Sequence, residues 1–148
     1  MNPLLDGLKV LDLSRLLPGP FCSLSLAQLG AEVIKIEEPD GGDYARELSP
    51  ELFDIVNRGK QSLTLDLRQP GDVERFKALV KDADVVLESF RPGVMDKLGC
   101  GYDTLKAINP ALVYASLTGY GQTGPYADRP GHDLNYLGYA GVLDQTGL

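Results

Sequence analysis

The chain carries a single histidine, His132, in the stretch RPGHDLNYLGYAG that runs from residue 129 to residue 141. A neutral imidazole is a good proton acceptor at physiological pH, so this residue type suits general acid–base work. A lone histidine beside an aspartate, with no nucleophile motif nearby, is also what an ordinary loop residue looks like. Spacing alone leaves both readings open. Cations form the second group of candidates. The stretch NRGKQSLTLDL sets Arg58 and Lys60 on either side of a glycine just before a strand-like run. There they can reach the phosphates of a ligand or simply face solvent as loop charges. The stretch ESFRPGVMDKLG places Arg91 directly after another strand-like run, in a turn restricted by Pro92 and Gly93. The two cysteines, Cys22 and Cys100, lack metal-ligand spacing, so no metal site is expected.

The elements that must position these residues are legible as an alternation. Residues 8–14 (LKVLDLS) predict a first strand, broken by Pro18 and Pro20. Pro20 suits a first helical turn, and FCSLSLAQLG continues the helix until Gly30. Residues 31–39 predict a second strand rich in Val and Ile, and residues 40–61 read as polar and irregular. Residues 62–67 alternate strictly and predict a third strand. An amphipathic helix follows, with Val73, Phe76, Leu79 and Val80 on one face. Residues 85–89 predict a fourth strand, GYDTLKAIN a short helix capped by Asp103, and residues 112–117 a fifth strand. A glycine-rich loop then leads to a helix beginning near Asp133, which is expected to cap it.

This rhythm predicts an α/β fold: a Rossmann-like, open, mostly parallel sheet with helices on both faces. Such sheets bind ligands beyond the carboxyl ends of their strands. Here those ends are residues 14–20, 37–42, 67–70, 88–93 and 118–124, a rim rich in Gly, Pro and Arg. The first turn, SRLLPGP, lacks the G-x-G-x-x-G pattern that lets backbone approach a pyrophosphate, which argues against a dinucleotide-binding domain.

At 148 residues the chain is long enough for one domain with a real core. Its 43% hydrophobic and 24% charged content is that of an ordinary globular protein. The net charge of −7 disfavours nucleic acid and anionic membrane surfaces as partners. No apolar run approaches a bilayer span, and the start has no basic region followed by an apolar one. Two distant cysteines make no disulfide framework, so a cytoplasmic location is expected.

Six stretches, taken in order, carry a resemblance. They are VLDLSRLLPGPFC, LAQLGAEVIKIEEP, NRGKQSLTLDL, ESFRPGVMDKLG, NPALVYASLTGYGQTGPY and GHDLNYLGYAGVL. Together they resemble the family III CoA-transferases and, within them, the 2-methylacyl-CoA racemases. GHD-N-Y is the racemase-like piece, since relatives that move CoA between acids usually lack this histidine. The resemblance implies that His132 exchanges the proton at C2 of an acyl-CoA, whose carbonyl acidifies that C–H. It implies that CoA lies against the backbone around Thr64, Leu65, Asp66 and Leu67, the turn of Ser89, Phe90 and Arg91, and the stretch with Gly131, Asp133, Asn135 and Tyr136. Arg58 and Lys60 join these as CoA-binding candidates on their spacing. No cofactor is implied, CoA thioester being the substrate.

The resemblance further implies that residues 1–148 are the N-terminal part of a large CoA-binding domain, the rest of the enzyme being absent. The family's catalytic aspartate falls beyond Leu148, so this chain alone is expected to be inactive. The full-length enzyme is expected to form an interlocked homodimer. The alternatives carried forward are an acyl-CoA:carboxylate CoA-transferase, using that aspartate as a nucleophile, and a non-catalytic CoA-binding fragment. One departure is Glu38, where the family often has an arginine serving the adenine end of CoA.

Overall fold

The computed structural model describes residues 3–147. Five strands form one sheet: β1 (Lys9–Leu13), β2 (Glu32–Glu37), β3 (Gln61–Thr64), β4 (Val85–Glu88) and β5 (Val113–Ser116). Their order is β3-β2-β1-β4-β5, and every adjacent pair is parallel. Parallel neighbours need crossovers, and helices supply them. These are α1 (Pro18–Gln28), α2 (Ala45–Leu48), α3 (Pro50–Val56), α4 (Pro70–Val80), α5 (Val94–Lys97) and α6 (Tyr102–Ile108). After β5 a long loop leads to α7 (Asp133–Tyr139) and a 3-10 turn at Leu143–Thr146.

The larger core lies on one sheet face, where Leu11, Ile36 and Val86 meet Phe76 and Val80 of α4 and Leu105 of α6. Val73 and Leu79 pack against the same cluster, as the helical spacing predicts. The opposite face buries Val10 and Val33 against Leu26 and Ala27 of α1. Helices therefore cover both faces, and the open, parallel α/β architecture expected from the sequence is the one observed.

The second face changes character along the strands. It is apolar at the amino end (Val10, Val33) and charged at the carboxyl end, where Asp12, Lys35 and Glu37 are all buried. Alternation puts these residues on one side, and the carboxyl end is where a ligand would sit.

Several expectations need correction. Residues 45–56, expected to be irregular, form α2 and α3. The Asp43 carboxylate accepts the Ala45 N–H at 3.0 Å, and Pro50 enters at a helix start, where its missing N–H costs nothing. Helix α1 begins at Pro18, earlier than expected, for the same reason. Strand β3 ends at Thr64. The Leu65 N–H still reaches the Glu37 carbonyl at 2.9 Å, but the Asp66 N–H turns away to the Asp72 carboxylate at 2.8 Å. Asp103 is not a cap; Gly101 holds that position, and Asp103 lies in the first turn of α6, beside its positive end. The short α5 has no clear signal in the sequence and follows Gly93, whose φ of 77° turns the chain.

Candidate active site

The chain runs outward from β1 to β3, then returns to the other side of β1 for β4. A crevice opens at the carboxyl end where the direction reverses. The Arg15 N–H donates to Ser89 Oγ at 3.0 Å, tying the end of β1 to the end of β4 across this point. Beside it lies a cleft of about 210 Å³. Leu13, Ile36, Leu65, Leu67 and Leu98 give it an apolar floor, and Phe90 forms part of its wall. Its charged rim is Arg15, Glu38, Asp66 and Arg68. An apolar floor beneath a rim of two arginines and two carboxylates suits an elongated ligand with apolar and polar parts.

The rim is tightly wired. The Arg15 guanidinium lies 4.9 Å from the Tyr44 ring centre and 5.1 Å from that of Phe90. It donates to Tyr44 Oη at 2.8 Å and pairs with Glu38 at 3.0 Å. Arg68 faces the other oxygen of Glu38 at 3.9 Å and donates to Asp66 at 2.7 Å. Hydrogen bonds from the Arg68 side chain and backbone hold the Asp66 carboxyl below its ordinary value. Glu38 thus sits between two arginines, a carboxylate flanked by cations.

Beneath the rim lies a buried charge network. Asp12 is fully buried and accepts from Ser14 N–H at 2.9 Å, from Ser23 Oγ at 2.5 Å and from Lys60 Nζ at 3.1 Å, with Ser14 Oγ as a fourth donor. Lys60 spends its remaining protons on the Pro20 carbonyl and Asn57 Oδ1, both at 2.9 Å. Burial pulls the Lys60 ammonium below its ordinary value, against the attraction of Asp12. Lys35 pairs with Asp43 at 3.0 Å and donates to the Ser14 carbonyl at 2.7 Å. Burial would raise the Glu37 carboxyl, but the Arg46 hydrogen bonds, the Asp43 N–H and the charges of Arg46 and Lys35 outweigh it and hold it below its ordinary value.

Glu88 behaves oppositely. Burial pushes its carboxyl up, against hydrogen bonds from Ser116 and the Phe90 N–H, and Asp96 adds repulsion. The folded chain therefore holds this proton more tightly than the unfolded chain. The stability Glu88 adds is complete below the ordinary carboxyl value of 4.5 and is lost as pH rises through the raised folded value. Glu88→Gln should gain stability relative to the parent as pH climbs through that window. Urea midpoints of both proteins across the window test it; parallel curves would contradict the shift.

The expected ligand residues separate into groups. Leu65, Asp66, Leu67 and Phe90 line the cleft together. Thr64 lies next to it, at a polar recess with Ser62 and Arg46. Ser89 is engaged with the Arg15 backbone, and Arg91 is exposed in the turn after β4. Arg58 is exposed as well, but Lys60 is not free for phosphate, because Asp12 draws it into the interior. Gly131, His132, Asp133 and Asn135 form a separate turn after β5 that does not line the cleft. His132 is exposed and occupies the cap position of α7. Asp133, expected to be the cap, is instead the first residue inside the helix. The Asn135 side chain closes the turn from within, accepting the His132 N–H at 2.9 Å.

Sequence reasoning missed Arg15, Arg68 and the network of Asp12, Lys35 and Asp43. The signal available was charge at inward-facing strand positions 12, 35 and 37, which a core strand tolerates only when the charges are paired. Among the described residues, no cluster of His, Cys, Asp and Glu could hold a metal ion, and no helix is long and apolar enough to cross a membrane.

A doubly wound parallel sheet with an apolar-floored cleft at its switch point, rimmed by Arg15, Arg68, Glu38 and Asp66, defines an open α/β protein. The model of CoA-transferase family III matches residues 5–148, and the chain belongs to that family. It is 47% identical over 149 residues to an acetyl-CoA:oxalate CoA-transferase of Acetobacter aceti, covering 97% of this chain and 38% of that protein. It is 44% identical over 144 residues to the human alpha-methylacyl-CoA racemase, covering 97% and 35%. A crystal structure of a CaiB/BaiF family protein from Brucella suis superposes with a TM-score of 0.92 at 46% identity, covering 97% of this chain and 41% of that one. The chain therefore spans about two fifths of the length of the relatives it matches.

Proposed function

We propose that the chain is the amino-terminal part of a 2-methylacyl-CoA racemase-type enzyme. The observation that carries this reading is His132. It is the sole imidazole of the chain and is exposed at the start of α7. In this reading the imidazole removes the C2 proton of the acyl-CoA. The C–H electron pair moves into the thioester as an enolate, and a proton delivered to the opposite face inverts the centre. The opposite face needs a second acid–base group, which the resemblance places beyond residue 148. The cleft would take the CoA portion, with Leu65, Leu67 and Phe90 against its apolar parts and Arg15 and Arg68 near its phosphates. The full-length protein is proposed to act as a homodimer.

A second reading has its own support. An acetyl-CoA:oxalate CoA-transferase and a succinate–glutarate CoA-transferase match at 47% and 41% identity, level with the racemase. The full-length protein, incubated with a 2-methylacyl-CoA in deuterated water, separates the two. Deuterium entering C2 without a carboxylate acceptor supports racemisation. CoA transfer to an added carboxylate without C2 exchange supports the transferase.

Arg91 is assigned to the CoA phosphates on its position in the turn after β4. Arg91→Ala should weaken CoA binding by about 1–3 kcal/mol, the loss of one charge-assisted contact. Calorimetry giving parental affinity for a folded variant would remove Arg91 from the site.

A further inference from the structure

We propose that Tyr136 and Asn135 are positioning residues that hold the His132 backbone, and that they do not contact the ligand. The inference rests on the reading of His132 as the proton-transfer group. The imidazole is exposed, so the backbone that carries it sets where it stands. That backbone is tied on both sides. Tyr136 Oη donates to the carbonyl of Gly131, the residue before His132, at 2.7 Å. Asn135 Oδ1 accepts the His132 N–H at 2.9 Å, and the His132 carbonyl accepts the Asn135 N–H at 2.9 Å. An α7 residue answering the cap N–H in this way is one half of a capping box.

Tyr136 does more than tie one carbonyl. A Cβ on Gly131 would come within 2.7 Å of its ring, and one on Gly119 would collide with its hydroxyl end. The ring therefore lies directly against backbone at both ends of the loop between β5 and α7. Only glycine allows that approach. The edge of Tyr120 packs on the ring at 5.4 Å between centres. The tyrosine staples the start of the loop to its finish and fixes where His132 stands relative to the sheet. The Tyr136 hydroxyl proton and Asn135 Oδ1 are thus both spent on the backbone that flanks the imidazole.

A misplaced reacting group of about 1 Å can cost on the order of a hundredfold. In the full-length protein, Tyr136→Phe keeps the ring and removes only the hydroxyl. It should lower kcat for C2 deuterium exchange by about 10- to 100-fold, leaving the KM for acyl-CoA and the pH profile of the remaining activity unchanged. Asn135→Leu should do the same, and Asn135→Asp, which keeps an acceptor, should restore most of the rate. A raised KM with kcat retained would make these residues ligand contacts and overturn the proposal, as would parental kinetics in Tyr136→Phe. His132→Ala is run alongside. If it keeps the parental exchange rate, the function assigned to His132 fails. The positioning claim is then judged by hydrogen exchange of the His132 amide in the same variants. Faster exchange in Tyr136→Phe and Asn135→Leu upholds it, and unchanged protection overturns it.

Discussion

Replacing Asp12 by alanine should destabilise the chain by about 3–5 kcal/mol, the cost of stranding a buried charge by removing its partner. Asp12 is fully buried in the middle of the sheet, and its carboxylate is the shared acceptor for Ser14, Ser23 and Lys60. Without it, the Lys60 ammonium keeps only a carbonyl and an amide oxygen in an interior that already disfavours its charge. The Ser23 hydroxyl keeps weaker bonds to the Gly19 and Pro20 carbonyls at 3.3 and 3.2 Å. Whole domains are stable by about 5–15 kcal/mol, so a loss of this size is a large share of the total. Urea midpoints with an unchanged slope measure it. The double change Asp12→Leu with Lys60→Met should recover most of the loss, because neither charge is then left alone. A single-variant loss below about 1 kcal/mol, the worth of an exposed ion pair, would show that the network is solvated in practice.

The position of this network explains why the fold tolerates it. Apolar residues at 12, 35 and 60 could hold the sheet together. What they could not do is fix the loop after β1. The Lys35 ammonium grips the Ser14 carbonyl, and Asp43 Oδ1 accepts the Leu16 N–H at 2.9 Å. Leu16 has a φ of 64°, a left-handed conformation that costs a non-glycine residue about 1–2 kcal/mol and persists only where neighbours hold it. Leu16 follows Arg15, whose side chain reaches the cleft. The buried ions thus hold in place the turn that carries Arg15, one of the cleft's two arginines. Gly19 belongs to the same device, since a Cβ there would collide with the Ser14 side chain.

The parts of the fold that were readable in the sequence are those set by local pattern. Short apolar runs, of Val and Leu in β1 and β4 and of Val and Ile in β2, marked these strands, and the 3.6-residue spacing of Val73, Phe76 and Val80 marked α4. The unreadable parts are set by distant partners. Helices α2 and α3 are each too short to show a period, and they form because Asp43 and Pro50 start them. Lys60 looked like a loop cation because its neighbours Arg58 and Gly59 are loop residues. Only its partner Asp12, 48 residues away in sequence, brings it inside. Arg15 escaped notice because its meaning depends on Tyr44, Glu38 and Phe90, which lie on three different segments. The resemblance fared similarly. It marked Leu65, Leu67 and Phe90, which line one cleft, and singled out Glu38 as a departure, but did not show that Glu38 faces Arg15 and Arg68.

Replacing His132 by alanine in the full-length protein should lower C2 deuterium exchange by about 10²- to 10⁴-fold, the usual contribution of a general base. CoA affinity should change little, because His132 does not line the cleft. The fold should be unaffected too. The His132 side chain is exposed, and the bonds that cap α7 use its backbone N–H and carbonyl, which alanine retains. This separation of effects makes the variant informative: a rate loss with parental affinity and parental urea midpoint can come only from the imidazole. Exchange near the parental rate in His132→Ala would make His132 a helix-capping loop residue. The acyl-CoA:carboxylate transferase, whose nucleophile would lie outside this chain, would then be the better account of the same cleft.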